Sequence, residues 1–304
     1  FFFKQKTAYE ISTRDWSSDV CSSDLTTAHN VSLSDILPGG VTYVAGSLAH
    51  TAGVAPTTLA TSAGGAAFTA TYTQLTPGQT STLTFKAKLD PTVTAGQAIT
   101  NTVTEQWTSL PGNPGQITAN NPNAYERTGS GSTSQGQLNN YATSSSAIVT
   151  VAQPTVTKSL VTTSIVNASN TATQAVIGET ATYTVTMKIP QGRTPTAQLI
   201  DSMGPGMAFV RVISAVNDDP AKLTVPGLAS APTLTNSGTT ATWHLGDIVN
   251  TDTDSSTDET VTFTIEAVIL NVNSNTSGAQ LVNRAQAAWN SGANSSPTAS
   301  SGPV

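Results

Sequence analysis

The chain has 304 residues, only 10% of them charged, with 12 Lys and Arg against 18 Asp and Glu and a formal net charge of −6. Nucleic acid and anionic membrane surfaces are bound through basic patches, so a chain this poor in cations is built for neither. No apolar run approaches the ~20 residues of a membrane span, and one cysteine excludes a disulfide within the chain.

Residues 1–25 stand apart from the rest. Residues 4–10 and 15–24 resemble, in one reading frame, the translation of the two fixed parts of a short-read sequencing adapter, with residues 11–14 in the place of the variable index. The stretch is set aside as an adapter-derived artefact and not a domain. On this reading Cys21 is not native and the natural N-terminus lies elsewhere. Removing three basic and four acidic residues with it leaves a net charge of −5. Thr, Ser, Ala, Val and Asn dominate what remains, and β-branched residues favour pleated strands over helices.

Beyond residue 25 the apolar positions recur with period two, the mark of half-buried strands. The first such segment is 33–44, broken by the turn Pro38-Gly39-Gly40. Segments 83–87 and 99–107 follow. Residues 110–140, with Pro111, Gly112, Pro114, Gly129 and Gly131, form a long loop before a strand at 142–151. A boundary falls at 152–154. Strands are then expected at 156–160, at 180–187 (Thr on one side; Ala181, Tyr183, Val185 and Met187 on the other) and at 199–210. The acidic loop 250–259 precedes further strands at 261–268 and 281–289. Three pairs of segments match one another: 33–44 with 199–210, 83–87 with 261–265, and 99–107 with 281–289, the last pair sharing the spacing from Asn101 to Trp107 and from Asn283 to Trp289. Repeats of this size are tandem modules. The expectation is an all-β chain of β-sandwich modules, each incomplete in this fragment. Residues 26–152 would be the C-terminal part of a first repeat, and 153–304 a second repeat lacking its final strand.

Three polar residues share parity with apolar ones. Lys158 alternates with Val156 and Leu160, Asp201 with Leu199 and Met203, and Asn283 with Leu281, Ala285 and Trp289. Side chains two apart lie on one face of a strand, so all three should point inward. In the first repeat Asp35 and Asn101 repeat the pattern. One reading is a spontaneous isopeptide bond: Lys158 as nucleophile, Asn283 as acceptor losing ammonia, Asp201 as the promoting acid. Burial lowers a lysine pKa and raises a carboxyl pKa, which favours the neutral pair the chemistry needs. The other reading is an ion pair of Lys158 with Asp201, the lysine reaching water at a strand end, and Asn283 capping a turn. Glu179 is the runner-up acid, with inward parity but placed at a turn. Glu266 lies on the outward face.

Residues 154–159 (Pro154-Thr155-Val156-Thr157-Lys158-Ser159), 177–185 and the Asp201 segment resemble the surface repeats of bacterial wall proteins, specifically the fimbrial isopeptide-forming (D2-type) domain and the related DUF11 repeat. The resemblance implies immunoglobulin-like sandwiches, an extracellular location on the bacterial cell surface, a stalk or fimbrial shaft role, and a cross-link between Lys158 and Asn283 promoted by Asp201. The Lys that would serve Asp35 and Asn101 falls before the start of the chain, so these two are orphaned and no bond is expected there. The partners implied are neighbouring repeats of the same chain and a host or surface ligand at a distal tip, with no nucleic acid, no membrane insertion and no cofactor. No enzyme activity is expected beyond one intramolecular turnover. The alternative is a carbohydrate-binding accessory module of a secreted protein. Asp252, Asp254 and Asp258 are weak calcium candidates: their loop lacks the glycine and terminal glutamate of an EF-hand. Trp107 and Trp289 have inward parity and are expected in the core.

Overall fold

The computed structural model describes residues 27–113, 133–134, 137–138, 141–252, 259–290 and 298–300. Residues 1–25, with Cys21, lie outside the described residues, as do Asp254 and Asp258. The chain forms two compact units, one of residues up to Asp90 with Ala98–Val149, the other of Pro91–Gln97 with Thr150 onward.

In the first unit the alternating segments become β1 (Ala28–Ile36), β2 (Val41–Tyr43), β3 (Ala49–Gly53), β4 (Thr58–Thr61), β5 (Ala67–Leu75), β6 (Ser81–Thr84), β7 (Ala87–Leu89), β8 (Ala98–Thr108), β9 (Thr133–Ser134), β10 (Gln137–Leu138) and β11 (Ala142–Thr150). The main sheet runs β11-β8-β1-β5-β4, and three further pairs are β2 with β7, β3 with β6, and β9 with β10. Period-two burial holds along the central strands: Val31 and Leu33, Ala70 and Tyr72, Val103 and Trp107 form one core.

The second unit contains β12 (Thr155–Thr163), β13 (Thr180–Ile189), β14 (Gly192–Met203), β15 (Met207–Asn217), β16 (Leu223–Thr224), β17 (Thr233–Thr235), β18 (Thr240–Asn250), β19 (Glu259–Ile269), β20 (Asn283–Ala288) and β21 (Thr298–Ser300). One sheet runs β12-β13-β19-β15; the other runs β16-β18-β14-β20-β21, with β17 also on β18. All named pairs are antiparallel. The inward residues of both sheets, among them Tyr183, Val185, Met187, Leu199, Trp243, Leu245, Phe263 and Ile265, meet in one core, which makes the unit a sandwich. At its centre Trp243 lies 5.8 Å from Phe209 and 5.2 Å from Phe263, ring centroid to centroid. The chain is all-β, as its composition requires.

The two units repeat each other in detail. β1, between β8 and β5, takes the place that β14 takes between β20 and β18. Each central strand carries a non-glycine residue in the left-handed region, Asn30 at φ 49° and Thr196 at φ 49°, both at register shifts. Each is five positions before the inward aspartate. These bulges bend the strand at the same point, and side chains hold both: Asn30 Nδ2 donates to Thr108 Oγ1 at 2.8 Å, and the Thr196 amide donates to Asp247 Oδ1 at 2.9 Å. The turn after each aspartate uses a glycine at positive φ, Gly40 and Gly206. A Cβ on Gly206 would lie 2.0 Å from Asn275 Oδ1, so the turn admits no side chain there. Strands β5 and β18, which complete the two central sheets, carry the same alternation and were not among the expected strands.

Phe263→Ala would leave a cavity against Trp243 in the centre of the second core. The expected cost is about 3–5 kcal/mol, read as a lower urea midpoint for the second unit; a change within about 0.5 kcal/mol, the scatter of surface substitutions, would show that this core is not what holds the unit together.

Candidate functional site

Each polar residue of the second unit is brought inward by strand parity. β12 is an edge strand, and its pairing with β13 sets Lys158 opposite Val185, with Val156 opposite Met187. Asp201 on β14 pairs with Ala285 on β20, and Asn283 is two residues along β20, a diagonal neighbour on the same face. β12 approaches β20 across the sandwich, Cα atoms coming within 8 Å. The structure therefore brings Lys158, Asp201 and Asn283 together.

All three side chains are sealed from water: the Lys158 and Asp201 side chains are fully buried, and Asn283 is 0% exposed. Lys158 Nζ donates to Asp201 Oδ2. The same nitrogen stands 4.9 Å from the centroid of the Tyr183 ring. Burial pulls the Lys158 pKa below its ordinary value, more strongly than the attraction of Asp201 raises it. Burial pushes the Asp201 carboxyl up, against the opposing pull of Lys158 and the Asn283 amide. Both members are thus driven toward their uncharged forms. Burial and the nearby Asp201 push the Tyr183 phenol up to about 12, so it stays neutral, its hydroxyl directed at Met207 Sδ at 3.5 Å. The Asn283 amide is near enough to Asp201 to lower its pKa, yet neither Asn283 Oδ1 nor Nδ2 finds a hydrogen-bond partner, and Asp201 Oδ1 has none either. Unpaired buried polar atoms cost about 1–3 kcal/mol each. A carboxamide, an amine and a carboxyl desolvated in one core are the groups that acyl transfer to an amine requires.

The first unit holds the matching pair. Asp35 faces Val103 in the β1–β8 register, and Asn101 is two residues along β8, the same diagonal as in the second unit. Asn101 Nδ2 donates to Asp35 Oδ2 at 2.9 Å, and burial raises Asp35 to about 6. Among the described residues no lysine reaches them. A second acidic residue joins this core: Glu105, 3% exposed, with neither carboxyl oxygen partnered. Burial raises it to about 7. It shares inward parity with Asn101, Val103 and Trp107, so the signal that found Asn101 would have found it too.

Glu179 is placed elsewhere. It is 2% exposed and accepts from the Ile165 amide at 2.5 Å, the Val176 amide at 2.9 Å and Asn170 Nδ2 at 3.0 Å. Burial alone would raise its pKa; these donors outweigh it and hold the carboxyl below its ordinary value. Its bonds tie together the loop before β13. Glu266 accepts from Arg211 Nε at 2.6 Å and Thr180 Oγ1 at 2.9 Å on the outer face. Asp252, 3% exposed, pairs with Lys222 Nζ at 2.9 Å, and the neighbouring Glu259 accepts from Asn250 Nδ2 at 2.7 Å. Among the described residues no three His, Cys, Asp or Glu side chains are grouped to hold a metal. Trp107 and Trp289 are buried, Trp289 Nε1 donating to the Ala95 carbonyl at 3.3 Å within the second unit.

The sequence matches no protein-family model and no curated protein. Among solved structures, it is similar to the C-terminal domain of the Streptococcus pyogenes antigen I/II-family protein AspA (10% identity, 90% of this chain and 84% of that one, TM-score 0.38). It is similar also to the C-terminal domain of the Streptococcus agalactiae AgI/II polypeptide BspA (11%, 90% and 83%, 0.35). A third is the full-length major pilin SpaD of Corynebacterium diphtheriae (15%, 91% and 59%, 0.33). Overlaps this loose carry neither a role nor a site onto this chain.

Glu105 gives the first unit a pH dependence of definite sign. Unfolded, the carboxyl loses its proton near 4.5; folded, near 7. Between these values the folded state holds the extra proton, so stability falls as pH rises through that window and stays low above it. At about 1.4 kcal/mol per unit the loss is up to about 3 kcal/mol. Glu105→Gln should abolish this loss, making β8 amide exchange in the first unit slower than wild type at about pH 8. Equal exchange in the two proteins there would show that the carboxyl is solvated.

Proposed function

We propose that the chain is a structural module of a bacterial cell-surface protein, a stalk or fimbrial shaft element, whose second unit is stabilised by an isopeptide bond between Lys158 and Asn283. The observation that supports this reading is the sealed contact of a desolvated lysine, a desolvated aspartic acid and an unpaired carboxamide. The neutral Nζ adds to Cγ of Asn283. Protonated Asp201 polarises the carboxamide oxygen, then carries a proton from Nζ to the departing nitrogen. The N–C bond forms, the Cγ–Nδ2 bond breaks, and Nδ2 leaves as ammonia. One turnover is the whole reaction. The product amide N–H can donate to Asp201, which gives the buried carboxyl a partner.

The bond would link edge strand β12 to β20 and close most of the unit into a loop. By analogy with a disulfide closing a loop of roughly a hundred residues, this is worth about 5 kcal/mol. The gain suits a protein under mechanical load, because tension cannot peel away an edge strand that is covalently anchored. The carbohydrate-binding alternative has less support, since a sugar platform needs exposed rings and the large exposed apolar side chains described are all aliphatic. The open groove of about 540 Å³ beside Tyr43, Leu48 and Leu59 has no acid–base pair in its lining.

Intact mass tests the reading. The folded protein is expected to be lighter than its sequence mass by about 17 Da, one ammonia, and Asn283→Ala and Lys158→Arg should each show their full sequence mass. An unshifted wild-type mass in folded protein would sink the cross-link and leave an ion pair. Asp201→Ala should also keep full mass while both reacting residues remain, which separates the acid's role from theirs.

A further inference from the structure

The cleft of about 540 Å³ in the first unit lies along a sheet edge. One wall is formed by Leu59, Ala60 and Thr61 of β4, the other by Tyr43 and Leu48. Consecutive strand residues point to opposite faces, so a cleft touched by all three runs beside β4 and not over one face of it. β4 ends its sheet, with β5 on its other side. The facing wall is firm: the Tyr43 hydroxyl accepts from the Leu48 amide at 3.0 Å, and the Tyr43 ring meets Phe68 edge to face with centroids 5.0 Å apart.

The open side of β4 carries unpaired backbone groups. The register sets Ala60 opposite Thr69, and at the next bonding position the Ser62 amide donates to the Ala67 carbonyl at 2.8 Å. Bonded and unbonded pairs alternate along an antiparallel ladder. Ala60 therefore spends its amide and carbonyl on β5, while Leu59 and Thr61 turn theirs to the cleft. Among the described residues these outward groups have no backbone partner. Edge strands are commonly guarded by charge, proline or bulges. β15, an edge of the second unit, has two register shifts and the charged Arg211. β4 pairs without a shift, and no Asp, Glu, Lys or Arg occurs between Asp35 and Lys86.

We infer that β4 is a self-association edge, which pairs antiparallel with β4 of a second copy of this chain about a two-fold axis at Ala60. In that register Leu59 faces Thr61 of the partner subunit, and Thr61 faces Leu59 of the partner subunit. These are the residues whose amides and carbonyls point outward, so every open group of the edge is answered. Ala60 faces its own counterpart at the unbonded position between them, where Cα atoms stand about 4.5 Å apart. Two methyl groups fit that space. Each β4 lies in the cleft of the other copy.

A second copy suits this edge because the edge is self-complementary and uncharged. Two chains of formal charge −6 repel one another, and a strand without charged neighbours adds no local repulsion. The contact is small: a strand of 4 residues falls well short of the roughly 800 Å² per partner that a stable dimer buries. The pairing is therefore weak and forms where copies are crowded. It needs neither Lys158 nor Asn283, so it stands apart from the cross-link.

Sedimentation equilibrium of the full chain, from micromolar to near-millimolar concentration, tests the inference. The average mass is expected to rise with concentration from monomer toward dimer. Ala60→Lys sets two ammonium groups against each other across the axis and should weaken association by at least about tenfold. Because it makes the net charge less negative, a loss cannot come from general repulsion. Thr61→Pro removes one outward amide and leaves the bonds to β5, a change that edge strands accept, and should weaken association as well. Unchanged slow exchange of the Thr69 amide in both variants shows that β4 is still in place. A wild type that stays monomeric at every concentration overturns the inference. Association that persists in both variants overturns the assignment to β4.

Discussion

A lysine, an aspartate and an asparagine side chain sit at the middle of a dry sandwich, and the architecture of the second unit follows from making that tolerable. An isolated charge in such a core would cost far more than the marginal stability of a domain supplies. Burial therefore works on protonation before it works on stability. The same desolvation that disfavours the ammonium disfavours the carboxylate, and the pair relaxes toward an amine and an acid. That state is less costly electrostatically. Tyr183 completes the enclosure by placing a ring face beside Nζ while remaining neutral.

Geometry around the three residues comes from ordinary sheet rules. Asp201 and Asn283 meet as diagonal neighbours on adjacent strands. Lys158 reaches them from the opposite sheet because β12 is an edge strand lying over β20. An edge strand is the element most easily lost from a sandwich, having neighbours on one side only. The cross-link proposed there would protect the weakest pairing in the unit, where a tie between two central strands would add little.

The first unit shows how much of this scaffold is independent of the lysine. Its central strand keeps the bulge at Asn30, the glycine turn at Gly40 and the Asp35–Asn101 contact. The aspartate and asparagine thus find each other through register alone. What differs is the balance of charge. Where the second unit has Ala287, the first has Glu105, a further carboxyl in the core, raised to about 7. Among the described residues, the two units thus present one acid–amide pair in two states, one matched by an amine and one not. Elsewhere buried carboxylates serve loops: Glu179 gathers three donors and fixes the segment before β13, and there it stays ionised because the donors compensate it.

Alternation by itself determined that the chain is all-β and which side of each strand faces inward. Lys158, Asp201, Asn283, Asp35 and Asn101 were all legible as inward polar residues because a strand has a period of two, so the parity of a neighbour fixes the face. The internal repeat was legible too, since matching segments keep their spacing. Parity is blind to which strands are neighbours. It left Lys158 between a buried position and a strand end reaching water, and Glu179 inside the core as a competing acid. Those alternatives separate only in three dimensions. The antiparallel register of β14 with β20 puts Asn283 diagonal to Asp201, and the packing of one sheet on the other seals Lys158 above them. The turn before β13 turns Glu179 toward three backbone and side-chain donors instead. Strand pairing is a long-range choice, made by the fit of whole faces, and no local window of sequence contains it. Parity could say that these polar groups must be buried; only the sheet order could say which of them are buried together.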